Sequence, residues 1–449
     1  MYIKNLKIQN LKLLKNIELP FTNSDGSPRM WTVIIGENGT GKTSILQAIA
    51  MASAGQRNVT GLAENIESLR DKRAPRTTVQ IEAEFILDAT QRKERLYPGY
   101  PGGKPPGDVV IQSHVRLNPK QKSLEANSNY LGVDASIDPI DQARSLDAKL
   151  WFVAAYGIHR NLPDSTISSP RIQNASIDRL RPIFKNDVPL IGTAFANVLT
   201  TKKRTTYARI LRDTLFGAKD LLPGFKDLEL RGKGGANSSL ALQERHRFIQ
   251  DLPSGNLKLA ANWLSHGYQS TIAWIADLVG QILYESKLDN GMSPKEMEGL
   301  VLIDELDLYL HPKWQRTLIQ TLKRTFPKIQ FVATTHSPLA LVGLRPDEDE
   351  IIRLAINKST GNVQQYDMKN GQANEPDPRL MTGTEIYQNY FGINQFYPDN
   401  LGDLLRRHRF LAANPFRSDK DEIALDQIEK KLREEGVDPD FERTPRENP

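Results

Sequence analysis

The sequence predicts a mixed α/β fold organised around a phosphate-binding turn, and three stretches predict it. The apolar run WTVII at 31–35 leads into GENGTGKTS at 36–44 and then into a helix-forming stretch at 45–51. Far downstream, LVLIDE at 300–305 is a second apolar run, closed by two adjacent carboxylates. A third run, IQFVAT at 329–334, is closed by Thr335, His336 and Ser337. Short uninterrupted apolar runs are the pattern of strands buried on both faces, and ligands collect beyond the carboxyl ends of such strands.

The first stretch carries the most chemistry. In the spacing G-x-x-x-x-G-K-[ST], glycines let backbone N–H groups turn inward around phosphate oxygens, at the positive end of the following helix. Gly36, Asn38, Gly39, Thr40, Gly41, Lys42, Thr43 and Ser44 are therefore the candidate nucleotide-binding residues. Lys42 is placed to reach the β- and γ-phosphates, and Thr43 to hold Mg²⁺. The Lys42 side chain is expected to shape no local structure, so that its removal leaves the fold intact. A glycine-rich turn without a ligand is the bland alternative. Four fixed positions recur by chance in only about one or two chains of this length per hundred, and here a strand and a helix flank them.

Composition bounds the rest. A chain of 449 residues holds two or three domains, or one large head with an insertion. No apolar stretch is long enough to span a bilayer, and the start MYIKNLKIQN has no secretory h-region, so a cytoplasmic protein without a membrane partner is expected. The absence of cysteine excludes disulfides, thiolate nucleophiles and cysteine zinc sites within this sequence. A formal charge of +5 is only mildly basic; it permits DNA as a partner without requiring it.

In chain order, residues 2–21 alternate Ile3, Leu6, Ile8, Leu11, Ile17 and Leu19 with polar residues, as a hairpin of half-buried strands does. A turn-rich loop at 22–30 follows, and the helix after the phosphate turn runs to about Gly55. Residues 77–87 alternate again. Between them and Trp151, YPGYPGGKPPGD and its Ser- and Asn-rich surroundings read as surface loops around one strand at 109–117. The run LWFVAAY at 150–156 is a buried strand, and His159 and Arg160 just beyond it are either ordinary loop residues or contacts to the nucleotide or its relay. Residues 183–222 are helical in pattern. Their Lys202, Lys203, Arg204, Arg209 and Arg212 form either a solvated face or a phosphate-binding stripe. Residues 225–231 and 247–251 read as strands around a loop at 232–239.

The stretch LSHGYQS at 264–270 opens a helix running to Tyr284. At the end of the second apolar run, Asp304 is placed to bind the Mg²⁺ water shell and Glu305 to act as general base or to orient water. An acidic pair at a strand end is ordinarily just solvated; the phosphate turn upstream gives this pair chemistry to perform. His336, at the end of the third run, is placed to hydrogen-bond the γ-phosphate or the attacking water. Near the end of the chain, Ser418 and Asp421 cap a helix with the narrow stripe Leu425, Ile428 and Leu432, stopped by Gly436. That helix packs on its own chain or docks on another. The aromatic residues Tyr387, Tyr390, Phe391, Phe396 and Tyr397 are either core or a second partner surface.

The order P-loop, LSHGYQS, LVLIDE, TTHS resembles that of ABC-type ATPases, in the branch that holds RecF, SMC proteins and OLD nucleases; AAA+ engines lack the middle motif. Asn38 fits that family's G-x-N-G-x-G-K, and Asn10, Leu11 and Lys12 resemble its N-F-R after the first strand. His266 departs from the usual signature, and His311 stands where an aspartate is usual. The resemblance implies an ABC-ATPase head: a mixed sheet with a P-loop core and antiparallel N-terminal strands, a helical lobe inserted between P-loop and signature, and a C-terminal helical extension. The expected divisions are a discontinuous core at 1–170 and 251–365, a mostly helical lobe at 171–250, and an extension with a polar tail at 366–449. It also implies ATP as substrate, Mg²⁺ as cofactor and a head-to-head dimer or higher oligomer, in which Ser265 and Gly267 of one copy cap the γ-phosphate held by another. The interval from Lys42 to Ser265 has no sustained heptads, and the stretch after His336 lacks a glutamate strand followed by D-x-D, so neither an SMC arm nor a Toprim nuclease domain is expected. The remaining resemblance is to ATPase subunits of two-gene anti-phage systems, above all the Septu type, whose partner is a separate HNH nuclease. A RecF-like ATPase that binds duplex DNA directly is the alternative function.

Overall fold

The computed structural model describes residues 1–63, 65–88, 95–133, 135, 137–148, 150–160, 172–188, 190–192, 195–216, 221–222, 224–229, 247–285, 293–366, 377–393, 398–438 and 443–446. They divide into two compact units, Met1–Ile386 and Tyr387–Pro449.

The strands of the first unit are β1 (Tyr2–Leu11), β2 (Leu14–Pro20), β3 (Trp31–Gly36), β4 (Val79–Leu87), β5 (Val109–Leu117), β6 (Glu125–Tyr130), β7 (Val153–Tyr156), β8 (Phe225–Glu229), β9 (Arg247–Leu252), β10 (Gly255–Ala260), β11 (Glu298–Ile303), β12 (Lys328–Thr334), β13 (Glu350–Ile356) and β14 (Val363–Tyr366). Eleven of them form one sheet in the order β6-β5-β4-β1-β2-β14-β13-β3-β12-β11-β7. Its two halves differ in kind. From β13 through β3, β12 and β11 to β7 every neighbouring pair is parallel, whereas β6, β5, β4, β1 and β2 pair antiparallel. The apolar runs at 31–35, 300–303 and 329–334 make adjacent parallel strands with both faces covered, which is why they lack alternation. Trp31, at the amino end of β3, and Phe331, in the middle of β12, are paired in register and stack with ring centroids 4.5 Å apart. The antiparallel strands keep one face more exposed, so β4 alternates strictly between buried and half-buried residues.

Two strands were not expected from the sequence, β6 and β10. Both are edge strands: EANSNY is polar, and in the short run GNLKLA only Leu257 and Leu259 alternate, with its first four residues exposed. The strand expected at 150–156 begins only at Val153. The loop region before Trp151 also holds a helix, Pro139–Ser145, capped by Asp138. Between the P-loop and the signature stretch, the described residues combine the helix Thr201–Leu215 with the small antiparallel sheet β10-β9-β8; the loop expected at 232–239 lies outside them. On that helix Arg212 is exposed and paired with Asp227 at 2.9 Å, as on a solvated face.

The helix Lys42–Ala52 lies against the sheet and buries Ile45, Leu46, Ile49 and Met51 completely. At roughly 1.5–3 kcal/mol per large buried apolar side chain, this anchoring holds the phosphate turn in place. The helix His266–Glu285 is buried along nearly its whole length.

In the second unit, the helices Asp399–Ala413 and Asp419–Glu434 pack on each other. The capping box of Ser418 and Asp421 is formed, and Gly436 follows the second helix at φ +74°. Leu425, Ile428 and Leu432 are buried, and Ile428 and Leu432 pack in one cluster with Leu405 and with Leu401, Leu404 and Leu411. The stripe is thus covered by the unit's own first helix and does not stand free for another chain. Tyr390 is buried and Tyr387 packs on Phe391; Phe396 and Tyr397 lie outside the described residues.

Candidate nucleotide-binding site

The carboxyl ends of β3, β11, β12 and β7 lie side by side, and the sequence-derived residues fall there. After β3 the chain turns through residues 37–41 into the helix Lys42–Ala52. A side chain at Gly36 would place its Cβ 2.6 Å from the Leu354 carbonyl oxygen of β13, so only glycine fits between these strands. Gly41, at φ +83°, takes the left-handed turn that opens the helix. A cavity of about 360 Å³ follows, lined by Asn38, Gly39, Gly41, Lys42, Thr43 and Ser44 of the turn, by Asp304 and Glu305 beyond β11, and by His336 beyond β12. Gly36 and Thr40 do not line it and serve the loop itself; the Thr40 hydroxyl donates to the Glu37 carbonyl at 2.8 Å.

A chain of hydrogen bonds joins these strand ends. Thr43 Oγ1 donates to Asp304 Oδ2 at 2.7 Å, and Thr334 Oγ1 donates to Asp304 Oδ1 at 2.6 Å. The same Thr334 oxygen accepts the Glu305 N–H at 2.7 Å. Glu305 stands at φ +46°, a left-handed conformation that costs a residue with a side chain roughly 1–2 kcal/mol. Asp307, two residues on, accepts from the Thr335 hydroxyl and from the His336 N–H, tying the loop after β11 to the one after β12.

Lys42 corrects one expectation. Its Nζ donates to the carbonyls of Gly36 at 2.8 Å and Glu37 at 3.0 Å, so the side chain braces the loop it was expected only to decorate. Burial pushes its pKa down, while Asp304, Glu305 and Asp307 oppose that shift. A buried ammonium held by neutral carbonyls is ready to exchange them for phosphate oxygens.

Sequence reasoning left several participants out. Lys12 and Leu13, in the β1–β2 turn, line the cavity. Lys12 stands at φ +52°, and its place in the N-L-K triplet was the available signal. Thr334 looked like the last residue of a buried strand and nothing more. Of the pair after β7, His159 is exposed, while Arg160 is buried and donates through Nη2 to the Glu305 carbonyl at 2.6 Å.

Ser265 and Gly267 are not brought to this cavity by their own chain. Ser265 is exposed beside the first turn of the helix His266–Glu285. Gly267 is buried, and a Cβ there would lie 2.4 Å from the Tyr309 carbonyl, so its lack of a side chain answers a packing need as well. His311 acts locally, where its Nδ1 accepts the Lys313 N–H and caps the helix Pro312–Thr325.

The donor set fits Mg²⁺. Thr43 Oγ1 and the Asp304 carboxylate are hard oxygens in contact beside the phosphate turn, and Mg²⁺ is usually held by one or two such groups together with water and substrate phosphates.

Comparison with known proteins bears on the fold and the family. The Septu protein PtuA of Bacillus mycoides (strain KBAB4) is 26% identical over 432 residues, covering 96% of this chain and 50% of that protein. The chain thus spans half the length of that relative. The retron Vc95 probable ATPase of Vibrio cholerae serotype O1 biovar El Tor is 25% identical over 411 residues, 78% of this chain and 76% of that one. Among solved structures, an SMC head bound to the C-terminal winged-helix domain of ScpA superposes with a TM-score of 0.50 at 16% identity, covering 82% of this chain and 98% of that one, a likeness of fold. Residues 31–342 match the family described as "AAA domain, putative AbiEii toxin, Type IV TA system". The chain belongs to that family and carries the ABC-type ATPase head of the RecF, SMC and OLD branch.

Proposed function

We propose that this chain binds ATP with Mg²⁺ at its P-loop, hydrolyses it, and uses the cycle to control a partner effector in anti-phage defence. The observation that carries the reading is the hydrogen bond between Thr43 and Asp304, which are 261 positions apart in sequence and meet beside Lys42 in one cavity. A strand end that only needed solvating would have no reason to seat its carboxylate on the first turn of the P-loop helix.

The turn's N–H groups and the helix N-terminus receive the phosphates. Lys42 leaves the Gly36 and Glu37 carbonyls and pairs with β- and γ-phosphate oxygens. Thr43 and Asp304 would hold Mg²⁺, which would supply positive charge to neutralise those phosphates. Glu305 orients the attacking water or takes its proton, and His336 hydrogen-bonds the γ-phosphate or that water. Ser265 and Gly267, outside their own chain's cavity, act on the site of a second copy in a head-to-head pair. Loss of the γ-phosphate then favours a different arrangement of the pair, and an effector that contacts the two arrangements unequally reads the change.

As the effector we propose a separate nuclease of HNH type, the partner that the resemblance to Septu-type ATPase subunits implies; the relatives named Septu protein PtuA support that resemblance. The purified chain should hydrolyse ATP without any response to duplex DNA alone and should cut neither DNA nor RNA. Pulled from its native host, it should recover a nuclease encoded beside it. Metal-dependent cleavage by the homogeneous chain, abolished by a substitution in this sequence, would overturn the division of labour.

A further inference from the structure

Arg160 is 1% exposed and lies beyond β7, at the level where β7 and β11 stop pairing. The two strand ends remain tied there, since the Asp304 N–H donates to the Tyr156 carbonyl at 2.8 Å. The Arg160 guanidinium does not line the nucleotide cavity. Its Nη2 donates to the Glu305 carbonyl at 2.6 Å, and its buried Nε has no hydrogen-bond partner among the described residues. Burial pushes its pKa down to about 10, and Asp304, Asp307 and Glu305 oppose that shift, so it stays charged at neutral pH.

A fully buried cation is costly, and a core position would be filled better by an apolar side chain. Among the described residues, what its side chain holds is the peptide of a single residue. Glu305 has a left-handed backbone, gripped on the N–H side by Thr334 Oγ1 and on the carbonyl side by Arg160. Release of either grip lets the backbone relax toward ordinary φ and swings the side chain with it.

We propose that Arg160 is a positioning residue for hydrolysis: by clamping the Glu305 carbonyl it keeps the Glu305 carboxylate aimed into the nucleotide cavity. This rests on the reading of Glu305 as the group that orients or deprotonates water.

The test is a double-mutant cycle on the full chain, with Arg160→Met, Arg160→Lys and Glu305→Gln alone and combined, measuring kcat and ATP affinity. Arg160→Met should lower kcat about 10- to 100-fold, the scale of a misplacement near 1 Å, with ATP Kd changed less than about threefold. Arg160→Lys keeps the charge and one donor, so it should recover part of the rate. In the Glu305→Gln background neither change should lower the residual rate further, because the group being aimed is already gone. If Arg160→Met does not fold, Arg160→Lys carries the same cycle. An equal fractional loss in both backgrounds, or wild-type kcat for the Arg160 variants beside a slow Glu305→Gln, overturns the proposal; in the second case the reading of Glu305 stands. A wild-type rate for Glu305→Gln removes that reading itself, and the proposal with it.

Discussion

Thr334 offers the sharpest perturbation of the site, because one hydroxyl serves both acidic residues. Thr334→Val keeps the shape of a fully buried side chain and removes the oxygen that donates to Asp304 Oδ1 at 2.6 Å and accepts from the Glu305 N–H at 2.7 Å. A hydrogen bond to a charged group contributes roughly 1.5–3 kcal/mol, and a buried N–H left unpaired costs about 1–3 kcal/mol. Both losses fall on residues whose placement matters most when charge develops at the γ-phosphate. If about 1.5–3 kcal/mol is expressed in the transition state, kcat falls roughly 10- to 150-fold. The P-loop contacts to the phosphates are untouched, so ATP Kd should change less than about threefold. Thr334→Ser retains the oxygen and should stay near the wild-type rate. The assay is steady-state ATP turnover beside equilibrium binding of a fluorescent ATP analogue. A Thr334→Val protein that folds and turns over within twofold of wild type would refute the network's role.

Two further outcomes follow from the same geometry. Asp277 is buried on the signature helix, where it accepts from the Ile191 and Gly192 N–H groups and from the Tyr156 hydroxyl; burial raises its pKa to about 6. A carboxyl raised in the folded state binds its proton more tightly there than when unfolded. Its contribution to stability is therefore greatest below about pH 4 and declines as pH rises to about 6, by roughly 3 kcal/mol at most. Asp277→Asn removes that decline, so thermal unfolding at pH 4.5 and 7 should show the variant gaining on wild type at the higher pH; parallel shifts would count against it. For the head-to-head arrangement, mixing Lys42→Ala chains with Ser265→Arg chains should restore some turnover, because one composite site can then be wholly wild type. No recovery, with mixed dimers shown to form and a single intact site known to turn over, would exclude capping in trans.

The parts legible in the sequence were those fixed by local chemistry. Uninterrupted apolar runs announce β3, β11 and β12 because those strands are buried on both faces, and the phosphate turn announces itself because backbone N–H groups can converge only where glycine permits. Asp304 and Glu305 could be placed because they close such a run. The edge strand β6 lacks an apolar face and so lacks a period, and β10 shows only one alternating pair, Leu257 and Leu259, too short to announce a strand. Thr334 and Lys12 stayed hidden, and Arg160 stayed undecided between loop and site, for another reason: what they do depends on which strand lies next to which. Thr334 ends an ordinary-looking strand until β11 is set beside it, and Arg160 is a loop arginine until β7 brings it under the Glu305 peptide. Gly267 was read for one need and meets a second, the carbonyl of Tyr309, that no motif encodes.

The central claim is that Glu305 turns bound ATP over, and steady-state hydrolysis by wild type and Glu305→Gln in the presence of Mg²⁺ tests it most directly. Wild type should hydrolyse ATP, and the variant should bind ATP with similar affinity and retain it while kcat falls about 10²- to 10⁴-fold. No Mg²⁺-dependent hydrolysis by wild type, or equal rates for the two proteins, would contradict the account.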